Sequence, residues 1–205
     1  MKRRFVVFCW IVLAALPVLA QEKLYPVRSN RNVPLILTPD RYGIVVEKAF
    51  QHKLTLGFPS GDRAEFLPDT RSRFLIFSLR IHNVSPRPLA VDIAKFTCAD
   101  DMGHVYTALA PEEAANRMLA DSSAESLGTK TLRSISLGRA ANRPTEEQVR
   151  EDMDRYSIRS GDIPAGSVRE GLIYFEKPPQ KKFTVMVTLG DLWSQPLVFS
   201  TSKQK

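Results

Sequence analysis

The sequence predicts a mainly β fold: an antiparallel sandwich of about seven or eight strands with one helical insertion. Three observations lead there. Apolar residues alternate with polar ones in several short runs, the two-residue period of a half-buried strand. Turn-forming clusters separate those runs, at Asn83-Val84-Ser85-Pro86-Arg87-Pro88, Asp100-Asp101-Met102-Gly103 and Ile163-Pro164-Ala165-Gly166. Helix signals, by contrast, gather in one stretch at about 110–160.

The first residues carry a different message. Lys2, Arg3 and Arg4 precede an apolar run from Phe5 to Leu16, and Val18 and Ala20 supply small residues beyond Pro17. That is the order of a secretory signal peptide, with cleavage expected after Ala20. The apolar stretch is shorter than the roughly 20 residues a membrane-spanning helix needs, so no membrane span is expected after cleavage. Cys9 sits inside this apolar run, behind bulky Phe8, and is not read as a lipidation site. The whole chain has 29 Lys+Arg against 22 Asp+Glu, a net charge of +7, but three of those basic residues belong to the signal. A mature chain starting at Gln21 keeps +4 and a single cysteine, Cys98, and so has no intrachain disulfide.

Residues 21–42 read as an extended lead-in with three prolines and an edge strand near Val33–Leu37. A single sandwich domain is expected over 43–205. Leu54, Leu56 and Phe58 share one face of its first strand. In Arg73–His82, Leu75, Phe77, Leu79 and Ile81 point inward, with Ser78, Arg80 and His82 opposite. Leu89, Val91 and Ile93 resume the alternation, whereas Phe96 and Cys98 fall on the other parity. A β-bulge near Ala94 and Lys95 would produce that shift. The Asp100–Gly103 turn leads into a returning strand over His104–Leu109.

Pro111, followed by Glu112 and Glu113, opens a helix in which Glu113 pairs with Arg117 and Ala115, Met118 and Leu119 form an apolar stripe. Asp121–Arg143 reads as a loop. Thr145 and Gln148 have capping-box spacing and start a second helix, with Val149, Met153 and Tyr156 on its buried edge. Strands follow over Ser167–Phe175, at Phe183, Val185, Val187 and Leu189, and over Pro196–Ser200.

No phosphate loop, dinucleotide fingerprint, nucleophile elbow, H-E-x-x-H or C-x-x-C motif is present. Cys98 with His104, Asp100 and Asp101 has the residue types of an activated thiol, but its inward parity favours a small buried side chain. Met102, His104 and Cys98 are soft donors suited to copper, and Asp100, Asp101 and Asp191 are candidate calcium ligands. Ordinary turn chemistry accounts for both sets. Arg28, Arg31, Arg133, Arg139 and Arg143 are candidate contacts for an anionic glycan or lipid. Trp193, Tyr174 and Phe175 are the aromatics available for a carbohydrate platform, with Phe175 on the core parity of Ile173.

Two sets of residues carry a resemblance. One runs from Phe74 to Tyr106: an alternating strand ending in Asn83, a Pro-rich turn, a strand, then an acidic-Gly turn. The other joins Ile163-Pro164-Ala165-Gly166 to the run Glu170-Gly171-Leu172-Ile173-Tyr174-Phe175-Glu176-Lys177-Pro178. Over about 43–109 and 160–200, these segments resemble the immunoglobulin-like domains of unknown function found in exported bacterial proteins. The resemblance implies an extracytoplasmic sandwich and transfers no catalytic residue. Residues 110–160 depart from it.

The expectation is therefore an exported, non-enzymatic module, periplasmic or extracellular, that acts through protein contacts in the cell envelope. No catalytic, cofactor or metal residue is assigned, and no nucleic-acid partner is expected. The alternatives are a binding module for an anionic envelope glycan or lipid and, last, an enzyme using Cys98 and His104. N-terminal sequencing of the exported protein should give a start at Gln21; a start elsewhere contradicts the signal-peptide reading.

Overall fold

The computed structural model describes residues 24–27, 35–38, 41–48, 51–59, 73–128 and 145–202. The segment read as a signal, part of the lead-in and the stretch 129–144 lie outside the described residues. Within them the chain is mainly β. Two five-stranded antiparallel sheets face one another, and a pair of helices covers part of one outer surface.

The first sheet contains β2 (Leu35–Thr38), β3 (Arg41–Lys48), β4 (His52–Gly57), β5 (Phe74–Asn83) and a late strand, β10 (Val168–Glu176), in the order β10-β5-β4-β3-β2. The second contains β1 (Tyr25–Pro26), β7 (Phe96–Asp100), β8 (Val105–Thr107), β11 (Thr184–Leu189) and β12 (Leu197–Ser200), in the order β1-β12-β11-β7-β8. A short ribbon pairs β6 (Leu89–Val91) with β9 (Gly161–Ile163). The strand count exceeds the expected seven or eight because several of these elements are only two to four residues long.

Strand parity builds the core between the sheets. Leu54 and Leu56, then Leu75, Phe77, Leu79 and Ile81, then Ile173 and Phe175 face across to Phe96, Cys98, Val185, Val187, Leu189, Leu197 and Phe199. Phe77 sits at its centre, with ring centroids of Phe199 at 4.9 Å and Phe175 at 6.2 Å.

The break in parity after Ile93 has a different cause from the expected bulge. Ile93–Lys95 forms one turn of 3-10 helix, capped by Asp92, whose carboxylate accepts from the Ala94 amide at 3.1 Å. This turn carries the chain out of the β6–β9 ribbon and into the second sheet. The extra residues thus change sheets and do not merely kink one strand.

Helix α1 spans Pro111–Gly128 and α2 spans Glu146–Tyr156. The first runs further than expected, into the segment read as loop. The second starts as expected: Thr145 Oγ1 accepts from the Gln148 amide, and the Gln148 side chain accepts from the Thr145 amide. Glu113–Arg117 and Glu146–Arg150 pair one helical turn apart.

Both helices lie on the outer face of β5 and β10, and they bury a second core there. Phe74, Ile76, Leu172 and Tyr174 meet Ala114, Ala115, Val149 and Met153, flanked by Met118, Leu119 and Tyr156. Sequence parity assigned one inward face to β5; the structure buries both faces at its start. Both ends of the insertion also close the free edge of β10. The Leu109 amide donates to the Tyr174 carbonyl and the Ile158 amide to the Leu172 carbonyl, each at 2.9 Å.

Gly171 permits that closure. A Cβ there would lie 2.5 Å from the Ile158 nitrogen and 2.7 Å from the Ser157 carbonyl carbon, both backbone atoms with little room to yield. Gly171→Ala should therefore lower the unfolding free energy by about 1–3 kcal/mol, the range for overpacking a tight site. An unchanged denaturant midpoint would show that the 157–158 segment does not seal β10.

Candidate functional site

Candidate residues fall at three places: the β7–β8 turn, the opposite end of the sandwich, and the solvent face of the second sheet. The β7–β8 turn is organised by Asp100, whose side chain is fully buried at the strand end. One carboxylate oxygen accepts from the amides of Met102 (3.0 Å) and His104 (2.9 Å). The other accepts from His104 Nδ1 (2.9 Å) and the Tyr106 hydroxyl (3.1 Å). Burial works against the charge, but the hydrogen bonds from His104 and Tyr106 outweigh it and hold the carboxyl below its ordinary range. Gly103, at φ +88°, supplies the left-handed residue this turn needs.

This geometry separates the proposed chemical sets. Cys98 lies opposite Tyr106, two pairs deeper than the His104 end, and is wholly buried. Burial, reinforced by Asp100, pushes its thiol up to about 12, so at neutral pH it is a protonated core side chain. Met102 is 69% exposed, so the copper set of Met102, His104 and Cys98 does not converge. Asp191 lies beyond Leu189, whose partner is Phe96, whereas Asp100 pairs with Val185. Four residues of strand put the two acids more than about 13 Å apart, and Asp191 is engaged by Lys95 at 2.6 Å. That ion pair lowers the Asp191 pKa and raises that of Lys95. Among the described residues, no group of three or more His, Cys, Asp or Glu side chains is placed to hold a metal.

The aromatic platform does not form either. Tyr174 and Phe175 are buried on opposite faces of β10, one under the helices and one between the sheets. Trp193 packs against the main core. Arg28, Arg31, Arg133, Arg139 and Arg143 lie outside the described residues.

At the other end of the sandwich, two buried polar residues face each other across β4 and β5: His52, which sequence reading did not single out, and Asn83, which it marked only as the end of a strand. The Asn83 amide nitrogen donates to the carbonyls of Arg87 (2.8 Å) and Ile163 (2.9 Å), and its oxygen accepts from the Ser85 amide and hydroxyl. It thereby fixes two turns at once. His52 Nε2 donates to the Leu192 carbonyl at 2.6 Å, tying one sheet to the other. Its Nδ1 and the indole nitrogen of Trp193 are buried without hydrogen-bond partners.

The solvent face of the second sheet is the feature least visible in sequence. Register aligns Val198, Met186, Ala99 and Val105 in one cross-strand row, and the Val27–Val198 hydrogen bond adds Val27 at its end. Thr188, Thr97 and Thr107 form the row on one side; Thr184, Ser200 and Tyr25 form the row on the other. Hydroxyl contacts at 2.7 Å (Thr97–Thr188) and 3.2 Å (Thr184–Ser200) confirm that these residues share the face. None of the outward positions on these strands is charged. The corresponding face of the first sheet, where the helices leave it open, carries Glu47, Lys53, Arg80, His82 and Glu170. Met186 and Val105 stay 41% and 65% exposed.

No protein-family model matches this chain, and no curated protein is similar to it. A solved structure, that of the YjhA protein from Bacillus subtilis, is similar at 13% identity and a TM-score of 0.35, covering 70% of this chain and 76% of that one. A likeness that loose assigns no activity. Among the described residues no helix is long and apolar enough to cross a membrane.

Burial lowers the His52 pKa below its ordinary 6.5 despite the bond to Leu192, with Lys48 adding to the effect. As pH falls below 6.5, the unfolded chain takes up a proton that folded His52 resists, so stability declines. The stabilisation from Asp100 and Asp191 is present above their ordinary 3.8 and is lost at more acidic pH, as the folded carboxylates protonate. Denaturant unfolding should therefore show two separate losses, and His52→Gln should remove much of the first while leaving the second. An identical slope in the variant between about pH 7 and 5 would contradict this assignment.

Proposed function

We propose that this chain is an exported, non-enzymatic sandwich module that works through protein contacts in the cell envelope, using the solvent face of its second sheet. One observation carries the reading: the contrast between the two outer sheet faces. The first sheet is capped by helices at one end and studded with charge at the other. The second presents an uncharged, apolar-centred surface on a chain in which a quarter of the residues are charged. A sheet face with no desolvation cost for ions and a central apolar row is suited to burial against another protein surface.

Export is supported by the order of residues 1–20, and the immunoglobulin-like assignment by the turn and strand motifs around Asn83, Gly166 and Phe175. The insertion has a structural part in this reading. Its apolar side is spent on Phe74, Ile76, Leu172 and Tyr174. Deleting 111–159 would strip a core, so it is not a dispensable partner-binding arm.

A benzophenone side chain in place of Met186, photoactivated in the native envelope, should form adducts with protein, whereas the same probe at Lys53 should form few. Absence of any protein adduct at 186 would overturn the reading.

A further inference from the structure

The edge of the second sheet at β8, beside that face, narrows the form a partner takes. We propose that β8 takes up an extended peptide segment of the partner as a further strand, a step that rests on the functional reading above and names the chemistry of the contact.

Register settles which backbone groups are on offer. The Asp100 amide donates to the His104 carbonyl and the Ala108 amide to the Phe96 carbonyl, so the hydrogen-bonded pairs along β7 and β8 fall at His104, Tyr106 and Ala108. The N–H and C=O groups of Val105 and Thr107 therefore point away from β7, off the edge of the sheet. Leu109 continues the same series, and the Tyr174 carbonyl accepts from its amide at 2.9 Å. Among the described residues nothing accepts from the other two amides, and Val105 and Thr107 are both exposed.

The two main sheets have four edges, and the other three are closed or blunted. β10 is closed by Leu109 and Ile158, and towards its start Arg169 donates to the carbonyls of Arg159, Gly161 and Asp162 alongside. At β1 the Val27 amide donates to the Val198 carbonyl, which turns the nitrogen of Pro26 outward, and proline has no hydrogen to donate. β2 is bracketed by Pro34 and Pro39. β8 carries neither proline nor charge, the usual guards of an exposed edge.

An extended backbone complements such an edge. Its alternate residues offer N–H and C=O groups at strand spacing, and both a parallel and an antiparallel segment satisfy Val105 and Thr107. An added strand would lie about 4.8 Å from β8. On one side its residues continue the apolar row that ends at Val105; on the other they adjoin Tyr106, which packs against the core. The segment that fits is free of proline and apolar or β-branched at alternate positions. Main-chain pairing then supplies attraction, and the side chains set preference.

The probe is a capped peptide of alternating threonine and valine with one lysine at each end, titrated to millimolar concentration into the isotope-labelled full chain. The Val105 and Thr107 amide resonances should shift, and their exchange with solvent should slow roughly tenfold at saturation. The same peptide methylated on every internal amide nitrogen should leave both unchanged. Thr107→Pro removes one outward donor and no bond to β7, and should weaken binding by at least about tenfold, whereas Thr107→Ala keeps the donor and should bind as the parent does. No change at Val105 and Thr107, equal binding of the methylated peptide, or identical behaviour of the two variants would overturn strand addition. Shifts confined to Met186, Ala99 and Val198 would also overturn it and leave the functional reading standing. That reading falls only if the crosslinker at Met186 finds no protein.

Discussion

The middle of strand β10, Gly171–Phe175, is enclosed on all four sides, and much of the molecule is arranged around that enclosure. Ile173 and Phe175 enter the core between the sheets, and Leu172 and Tyr174 enter the core beneath the helices. One edge pairs with β5 along its full length; the other is closed by Leu109 and Ile158. A stretch without solvent on any side leaves no backbone group to be hydrated, so each must find a protein partner. The insertion meets that demand. Its two ends bring the missing hydrogen bonds, Gly171 gives them room, and the helices cover the face that would otherwise be exposed. The Arg117–Glu176 ion pair fastens α1 to the end of the same strand.

Three buried polar residues hold the ends of the sandwich, each by a different means. Asn83 fixes two turns through one amide group, and Asp100 folds the β7–β8 turn around a carboxylate that accepts four hydrogen bonds. Both are satisfied, which is what makes their burial affordable. His52 is satisfied at one nitrogen only. It joins the sheets as a neutral ring and is the point at which mild acid bears on the fold. Asp100 lies near the Cys98 thiol, and its charge together with burial keeps that thiol protonated. Asp100 and His52 thus act in holding the structure together.

Much of the fold was legible in the sequence because period and punctuation are local. The alternation in Phe74–Asn83 and Phe183–Leu189, the turns at Gly103 and Gly166 and the capping box at Thr145 each depend on neighbours within a few residues. What was not legible depends on pairing. Phe74 and Ile76 look like strand residues with no preferred side until the helices are known to cover them. The shift after Ile93 has the same sequence signature whether it kinks a strand or moves it to another sheet. The row Val198–Met186–Ala99–Val105 draws on four strands, and no one of them contains a recognisable pattern. Met186 in particular reads as an ordinary outward residue until register places it between Val198 and Ala99.

The helical insertion and β10 form one cooperative unit with the sandwich, and the second sheet's outer face is the surface proposed to meet a partner. Native-state hydrogen exchange tests this most directly. The Leu109 and Ile158 amides, which close the edge of β10, should exchange only through global unfolding, with the same free energy as amides in the middle of β5. Exchange of Leu109 and Ile158 through a lower-energy opening, with β5 still protected, would show that the helices detach from an intact sandwich and would contradict the account.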